Sequence, residues 1–379
     1  MTAFKRCGQA PGENPEPMLK RRDFLALAGL AGAGALSGCG RRNDPPGTLY
    51  GRAVAQAPPR TPWDAQWIAF EGRMAQDESL RIDYFTKAEL GNEERMLHDL
   101  RRGRAHIGGM SLQGLASSIP ELSIALAPYL FSSNEEVDYV YDHHLYDIIN
   151  ELALAQNLMI LQWVEVGWTH IFANRPLLTP ADAAGLKIRT SPNAAARFFC
   201  EAAGMDAIAL GISDVIPALQ TGLVEGGLSS LPFHFFSTLE LATDFTLTRH
   251  SFDTGAIVLN REWYERASTS QRETIDGAWG SSADARAGVR GMTGMLEGAM
   301  RSGVMRGPDG SVVRELQTSR GEPITVHDLN ADQQAAWQRA TANVIDQLIV
   351  EAGGRSREVY EAILAGKAAF AAQASGGDA

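Results

Sequence analysis

The chain has 379 residues, a formal net charge of −11 and a hydrophobic content of 45%, a globular composition that argues against disorder. The acid excess, with no basic stripe interleaved with aromatics, excludes nucleic acid as the expected partner. The length exceeds what one hydrophobic core usually covers, so two lobes are expected.

In chain order, the first readable feature is residues 18–39, MLKRRDFLALAGLAGAGALSGC. Arg21, Arg22, Phe24 and Leu25 resemble the R-R-x-F-L core of a twin-arginine export signal. The uncharged stretch after them is too short and glycine-rich to remain as a membrane span. Leu36-Ser37-Gly38-Cys39 resembles a bacterial lipobox, whose cysteine is lipidated and becomes the new N-terminus. The expectation is a signal peptide over 1–39, with Met18 as an alternative start, and a polar tether over 40–47. The protein would then work outside the cytoplasm, anchored to a membrane through lipidated Cys39. Removing residues 1–38 takes away five basic and three acidic side chains, leaving 29 against 42 and a net charge of −13. Of Cys7, Cys39 and Cys200, only Cys200 would remain as a free thiol, so no internal disulfide is expected. Its apolar helical surroundings make it a buried small hydrophobe.

Residues 48–56 read as a strand, and 63–74 as an amphipathic helix carrying Trp63, Trp67, Phe70 and Met74. Residues 80–85 alternate as a strand, 93–102 form a helix stopped by Gly103, and 105–110 form a third strand. A long helix is expected over 135–156, then extended runs at 158–165 and 168–174. Residues 185–190 form a strand that leads into a helix capped by Ser191, with Pro192 at its first position and Gly204 after it. Ser213 is expected to cap a helix over 214–221 ended by Gly222. From Glu262 the chain reads as mainly helical, at 270–305 and 331–365, with a polar surface loop at 306–325 and a flexible tail at 366–379. Strands alternating with helices at this pitch imply an α/β fold with a largely parallel sheet.

Arg189 stands at the carboxyl end of a strand just before a helix, where open α/β sheets bind ligands. The helix N-terminus favours an anion there, and a guanidinium offers a fork for a carboxylate. Spacing alone equally allows Arg189, on the pleat face of Lys187, to line a solvated surface.

The run 185–227, GLKIRTSPNAAARFFCEAAGMDAIALGISDVIPALQTGLVEGG, resembles the signature region of TRAP-transporter substrate-binding proteins of the DctP type. Matching segments lie at 89–97, 127–137, 173–189 and 258–265. The resemblance implies a two-lobed periplasmic-binding-protein-like fold with a long helix bridging both lobes, lobe I comprising 48–167 and 256–296 and lobe II 168–255 and 297–365. It also implies capture of a small organic acid by hinge closure and membrane permease subunits of a TRAP transporter as partners. No enzymatic activity or cofactor is expected, and no metal, because the motif by which some keto-acid binders of the family hold one is not evident here. Arg189 would clamp the ligand carboxylate and Ile212 would line the pocket, with Asn92 in the 89–97 run. Three departures stand out: Thr169 where sialate binders carry a second arginine, Ser229 in place of a ligand-facing asparagine, and Ser111 in place of an acid. With Trp168, His170 and Phe233 close in sequence, these imply a site poorer in charge and richer in hydroxyls. Each lost polar partner costs a multiply charged ligand about 1–3 kcal/mol, which favours a monocarboxylate. His170 and His234 are read as satisfied hydrogen-bonding histidines, with pH sensing as the other option. Two rivals remain: a ligand-binding module serving a membrane sensor, and an extracytoplasmic enzyme. For the latter no G-x-S-x-G, H-E-x-x-H or C-x-x-C occurs, although an Asp/Glu dyad stays open.

Overall fold

The computed structural model describes residues 46–376, so the export signal, Cys39 and nearly all of the tether lie outside the described residues. Strand β1 (Leu49–Val54), helix α1 (Pro62–Met74), β2 (Leu80–Phe85), α2 (Glu93–Arg101) and β3 (Ile107–Ser111) alternate as their side-chain periods predict. β1 pairs in parallel with both β2 and β3. Short α3 (Leu112–Ala116), a 3₁₀ turn (Pro120–Leu126), α4 (Asn134–Val140), a π turn (Tyr141–Leu145) and α5 (Tyr146–Leu154) cover this half. The helix expected over 135–156 is therefore interrupted by the π turn.

Two long strands form the centre of the sheet. β4 (Leu158–Ala173) and β8 (Asp244–Asn260) run antiparallel along their whole lengths, from Leu158 opposite Asn260 to Ala173 opposite Asp244. The two extended runs expected at 158–165 and 168–174 are one strand, bent by irregular pairing between Glu165 and Gly167. Gly167 sits there at φ 106° with open space where a Cβ would be. The turn needs glycine for its backbone angle, not to make room.

Between these strands lie α6 (Pro180–Ala183), β5 (Lys187–Thr190), α7 (Ala194–Ala202), β6 (Asp206–Ala209), α8 (Val215–Thr221) and β7 (Gly226–Ser230). Among the described residues the sheet runs β2-β1-β3-β8-β4-β7-β5-β6, with β11 (Thr325–His327) added in parallel to β8. β3 and the Leu158–Glu165 end of β4 serve one half, while β7 and the Thr169–Ala173 end serve the other. The central pair is thus a ribbon shared by two lobes.

Each lobe buries apolar side chains on both faces of the sheet, as a covered parallel sheet requires. The first holds Leu97, Leu100, Leu122, Ile149 and Trp163 on one face and Trp67, Phe70, Trp263 and Ile275 on the other. The second holds Phe172, Phe235, Phe245 and Leu296 on one face and Ile188, Phe199, Cys200 and Trp337 on the other. Cys200 is buried and free, and burial pushes its thiol pKa far up.

After α9 (Arg261–Glu265) and α10 (Thr269–Ala278), helix α11 (Ser282–Ser302) joins the lobes. Its Ala285 packs with the first lobe, while Met292, Leu296 and Met300 pack with the second. The α/β two-lobed fold with a bridging helix is therefore the one observed.

Several local expectations are corrected. The loop expected over 306–325 contains a hairpin of β9 (Val304–Arg306) and β10 (Val312–Glu315), and the chain then enters β11. α7 is capped by Asn193, whose side chain accepts from the Ala196 amide, and not by Ser191. Ser213 falls in a 3₁₀ turn, and α8 begins without a side-chain cap. Helices α12 (Ala331–Ala340), α13 (Val344–Ala352) and α14 (Ser356–Gly376) close the chain. The tail expected from 366 is helical to Gly376. Nor does 297–365 belong wholly to the second lobe. Val344, Leu348, Val359 and Ile363 pack into the first-lobe core, because α13 and α14 present apolar stripes to the 3₁₀ turn and α4.

Candidate functional site

A cleft of about 1320 Å³, its open mouth included, lies where the two lobes meet the β4–β8 crossing. Its wall contains seven of the nine residues expected at the ligand: Arg189, Thr169, Ile212, Ser229, Phe233, Ser111 and Asn92. They lie far apart along the chain and are brought together by the crossing strands.

Trp168 and His170 are elsewhere. Successive strand residues point to opposite faces, so neighbours of Thr169 on β4 are turned away from it. Trp168 donates from Nε1 to Asn134 Oδ1 at 2.8 Å and packs edge-on against Phe252. His170 accepts the Arg249 amide at Nδ1 (3.1 Å), which puts its proton on Nε2. Both line a separate hollow beside Arg249, Arg290 and Asp328. Burial holds the His170 pKa well below its usual value, with His250 and Arg249 adding to the effect. His234 is stacked between Phe172 and Phe245 with Nδ1 against Thr238 Oγ1, and burial lowers it to about 3.

Arg189 is 4% exposed. Nε and Nη2 donate to the Leu210 carbonyl at 3.0 and 2.8 Å, and Nη1 donates to the Leu228 carbonyl at 3.3 Å. A guanidinium has five N–H groups, so two are left without a protein acceptor among the described residues. Its anchors are neutral, and no carboxylate lies within ion-pair distance of it among those residues. Burial lowers its pKa to about 10, opposed by Glu94, Glu93 and Asp214 at longer range, so it stays protonated at neutral pH.

The opposite wall differs from expectation. Ser111, expected as a neutral replacement for an acid, donates from Oγ and N to the two carboxylate oxygens of Glu93, each at 2.6 Å. The acid is therefore present, supplied from α2 and not from β3. Asp253 on β8 accepts from the Leu112 amide at 3.0 Å and from Gln113 Nε2 at 2.8 Å. Burial, reinforced by Glu93, raises the Asp253 pKa to about 8, while burial also raises Glu93. Among the described residues Glu94 keeps a buried carboxylate oxygen, Oε2, that accepts no hydrogen bond, and Gln66 keeps a buried Oε1 in the same state. Glu165 completes the set, but Arg290 on α11 holds it at 2.8 Å. The expected loss of acidic groups is thus corrected: among the described residues four carboxyl groups and one guanidinium line the cleft. Trp63, Trp67, Trp279 and Phe236 supply its apolar part. The carboxylates that sequence reasoning missed had one signal, the acidic pair Glu93-Glu94 directly after an Asn cap.

The lobes also touch beside the cleft, where Asn193 Nδ2 donates to Gln113 Oε1 at 3.3 Å. Asn92 lies close enough to Gly211 that a Cβ there would sit 3.2 Å from its Nδ2.

The sequence profile of the bacterial extracellular solute-binding protein family 7, DctP, matches residues 54–287. The chain belongs to this family. The ectoine-binding periplasmic protein TeaA of Halomonas elongata is 22% identical over 314 residues, 81% of this chain and 87% of that one. The C4-dicarboxylate-binding periplasmic protein DctP of Rhodobacter capsulatus is 22% identical over 357 residues, 93% of this chain and all of that one. Among solved structures, the ectoine-binding protein of the TeaABC TRAP transporter of H. elongata superposes with a TM-score of 0.75 at 20% identity, covering 84% of this chain and 99% of that one. A TRAP periplasmic solute-binding protein of Roseobacter denitrificans with bound β-D-glucuronate gives 0.73 at 20% identity, covering 83% and 98%. The family and fold are those of substrate-binding proteins of TRAP transport. Among the described residues no helix is long and apolar enough to cross a membrane.

Proposed function

We propose that this protein captures a small organic acid carrying a single carboxylate and delivers it to the membrane permease subunits of a TRAP transporter. The observation that carries the reading is Arg189, a buried guanidinium in the cleft with two N–H groups unused and no carboxylate partner among the described residues. A ligand carboxylate would accept those two bonds, a charge-assisted arrangement with geometric specificity. Thr169 and Ser229 stand beside it to hydrogen-bond the ligand, with Ile212 and Phe233 against its apolar part and Asn92 closing from the first lobe. Ser111 acts through Glu93, since its hydroxyl is committed there. Named ligands of relatives include ectoine, C4-dicarboxylates and glucuronate, so family membership leaves the acid open.

Capture proceeds by closure of the lobes about the β4–β8 crossing, with the ligand stabilising the closed state through contacts to both walls. The mature protein works in the periplasm, tethered through lipidated Cys39.

The test is a thermal-shift and calorimetric screen of the chain from Gly40 against mono-, di- and hydroxycarboxylates, because a ligand that binds only the folded state raises the melting temperature. An acid that shifts the wild type and not Arg189→Lys, which keeps the charge but loses the fork, supports the reading. Equal affinity in the two proteins refutes it. For the anchor, Cys39→Ser should move the protein from the membrane to the soluble fraction, and continued membrane association would refute lipidation.

A further inference from the structure

Capture of a single carboxylate at Arg189 leaves the acidic wall without a role. Among the described residues, Glu93, Glu94, Glu165 and Asp253 line the same cleft as one guanidinium, Arg189. Arg290 neutralises Glu165 from outside the wall, through Nε and Nη2 at 2.8 and 2.7 Å. Glu93 is held by the Ser111 hydroxyl and amide, and Asp253 by Leu112 and Gln113. Glu94 is different. Its Oε2 is buried without a hydrogen-bond partner among the described residues, and so is Oε1 of Gln66 on the same cleft. Both groups are acceptors, so the atoms missing from the site are donors.

Charge then separates the ligand classes. Burial favours the neutral forms of Glu93 and Asp253 and Arg290 offsets Glu165, so one guanidinium, Arg189, is left to meet an anion and a dicarboxylate's second charge has no cation to pair with. An acid sugar's hydroxyls can satisfy acceptors but bring no positive charge to Glu94. A carboxylate that also carries a cationic nitrogen meets Arg189 with one end and Glu94 with the other, adding no net charge. The aromatic lining of Trp63, Trp67 and Trp279 suits a weakly hydrated cation as well.

Resting on the reading of the Arg189 cleft as the carboxylate-binding site, we propose that the ligand is a zwitterion, with its cationic nitrogen seated at Glu94 and its carboxylate at Arg189. Glu94 is then the specificity-determining residue. The structure draws it toward the cleft from α2, on the lobe opposite β5, so a zwitterion also links the two walls and favours closure.

The experiment is calorimetric titration of the chain from Gly40 at pH 7 with ectoine, glycine betaine, D-glucuronate and succinate, repeated on Glu94→Gln. Glu94 Oε2 makes no hydrogen bond that the fold needs, and the variant's unliganded melting temperature checks this. The expected result is that a zwitterion binds at least about tenfold more tightly than glucuronate or succinate. Glu94→Gln should lose about tenfold or more in zwitterion affinity while glucuronate and succinate bind no worse. Tighter binding of glucuronate, lost in Arg189→Lys, overturns the zwitterion and leaves single-carboxylate capture standing, whereas tighter binding of succinate overturns the single carboxylate as well. Zwitterion affinity unchanged by Glu94→Gln overturns the role of Glu94. Binding that ignores Arg189→Lys overturns both readings, whereas no binding by any of the four overturns the zwitterion and leaves acid capture to the wider carboxylate screen.

Discussion

Arg189 on β5 and Arg290 on α11 are both drawn in toward the β4–β8 crossing, yet their partners differ in kind. Arg290 makes a bidentate pair with Asp138 at 2.8 Å and a further bond to Glu165, while Arg286 one turn earlier pairs with Asp142 at 2.7 and 2.8 Å. These carboxylates offset the charge and hold the bridging helix to α4, the π turn and β4. Arg189 is held by two carbonyls, which fix its position and leave its charge uncompensated at close range. An ion pair built within the fold has no capacity for a ligand, whereas a guanidinium fixed by neutral acceptors has.

Breaking each cluster separately tests this division. Arg189→Ala should have the largest effect on binding, about 10–100-fold in affinity, the 1.5–3 kcal/mol of a hydrogen bond to a charged group. It should also lower stability, because the carbonyls of Leu210 and Leu228 lose their donor. Calorimetry with the identified ligand and denaturant unfolding report the two effects, and an unchanged affinity would place the ligand elsewhere. Arg290→Ala should act chiefly on stability, by about 1.5–3 kcal/mol, since it strips Glu165 of its charged partner. Ligand affinity of the folded fraction should stay within a few-fold, and a loss as large as that of Arg189→Ala would erase the distinction.

Trp168→Phe sharpens the boundary of the site. It removes the bond to Asn134 and should cost about 0.5–1.5 kcal/mol of stability with no change in affinity. A clear loss of affinity would return Trp168 to the site.

Asp253 gives a prediction of sign. Its folded-state pKa, about 8, lies above its ordinary value of 3.8, so the native state binds the extra proton between those values. Its contribution therefore weakens as pH rises through this window. Melting temperatures from pH 5 to 8.5 should fall less steeply in Asp253→Asn than in the wild type. A slope unchanged by the substitution would mean that Asp253 is already ionised.

Much of the first half was legible because its elements are local. The alternation of LRIDYF and the helical spacing of Trp63, Trp67, Phe70 and Met74 place β2 and α1 within a residue or two. β8 was not legible from its residues. DFTLTRHSFDTGAIVLN mixes threonine, histidine and aspartate into a strand buried on both faces, so neither a polar–apolar alternation nor an apolar run marks it. The C-terminal helices were legible as helices, but their return to the first lobe was not, since an amphipathic stripe does not name its partner.

By itself, the sequence determined the alternation of strands and helices, and with it the α/β class, through side-chain periods that act over a few residues. It also placed Arg189 at a strand end and, through its resemblance, the family. Tertiary structure alone decided the character of the cleft. Ser111 takes up Glu93 across 18 residues, and Asp253 reaches Leu112 across 141. Burial then shifts the protonation of these carboxyls and leaves Glu94 Oε2 without a partner. The physical reason is that solvation and charge pairing depend on which surfaces the folded chain brings together. No spacing along the sequence encodes that meeting directly.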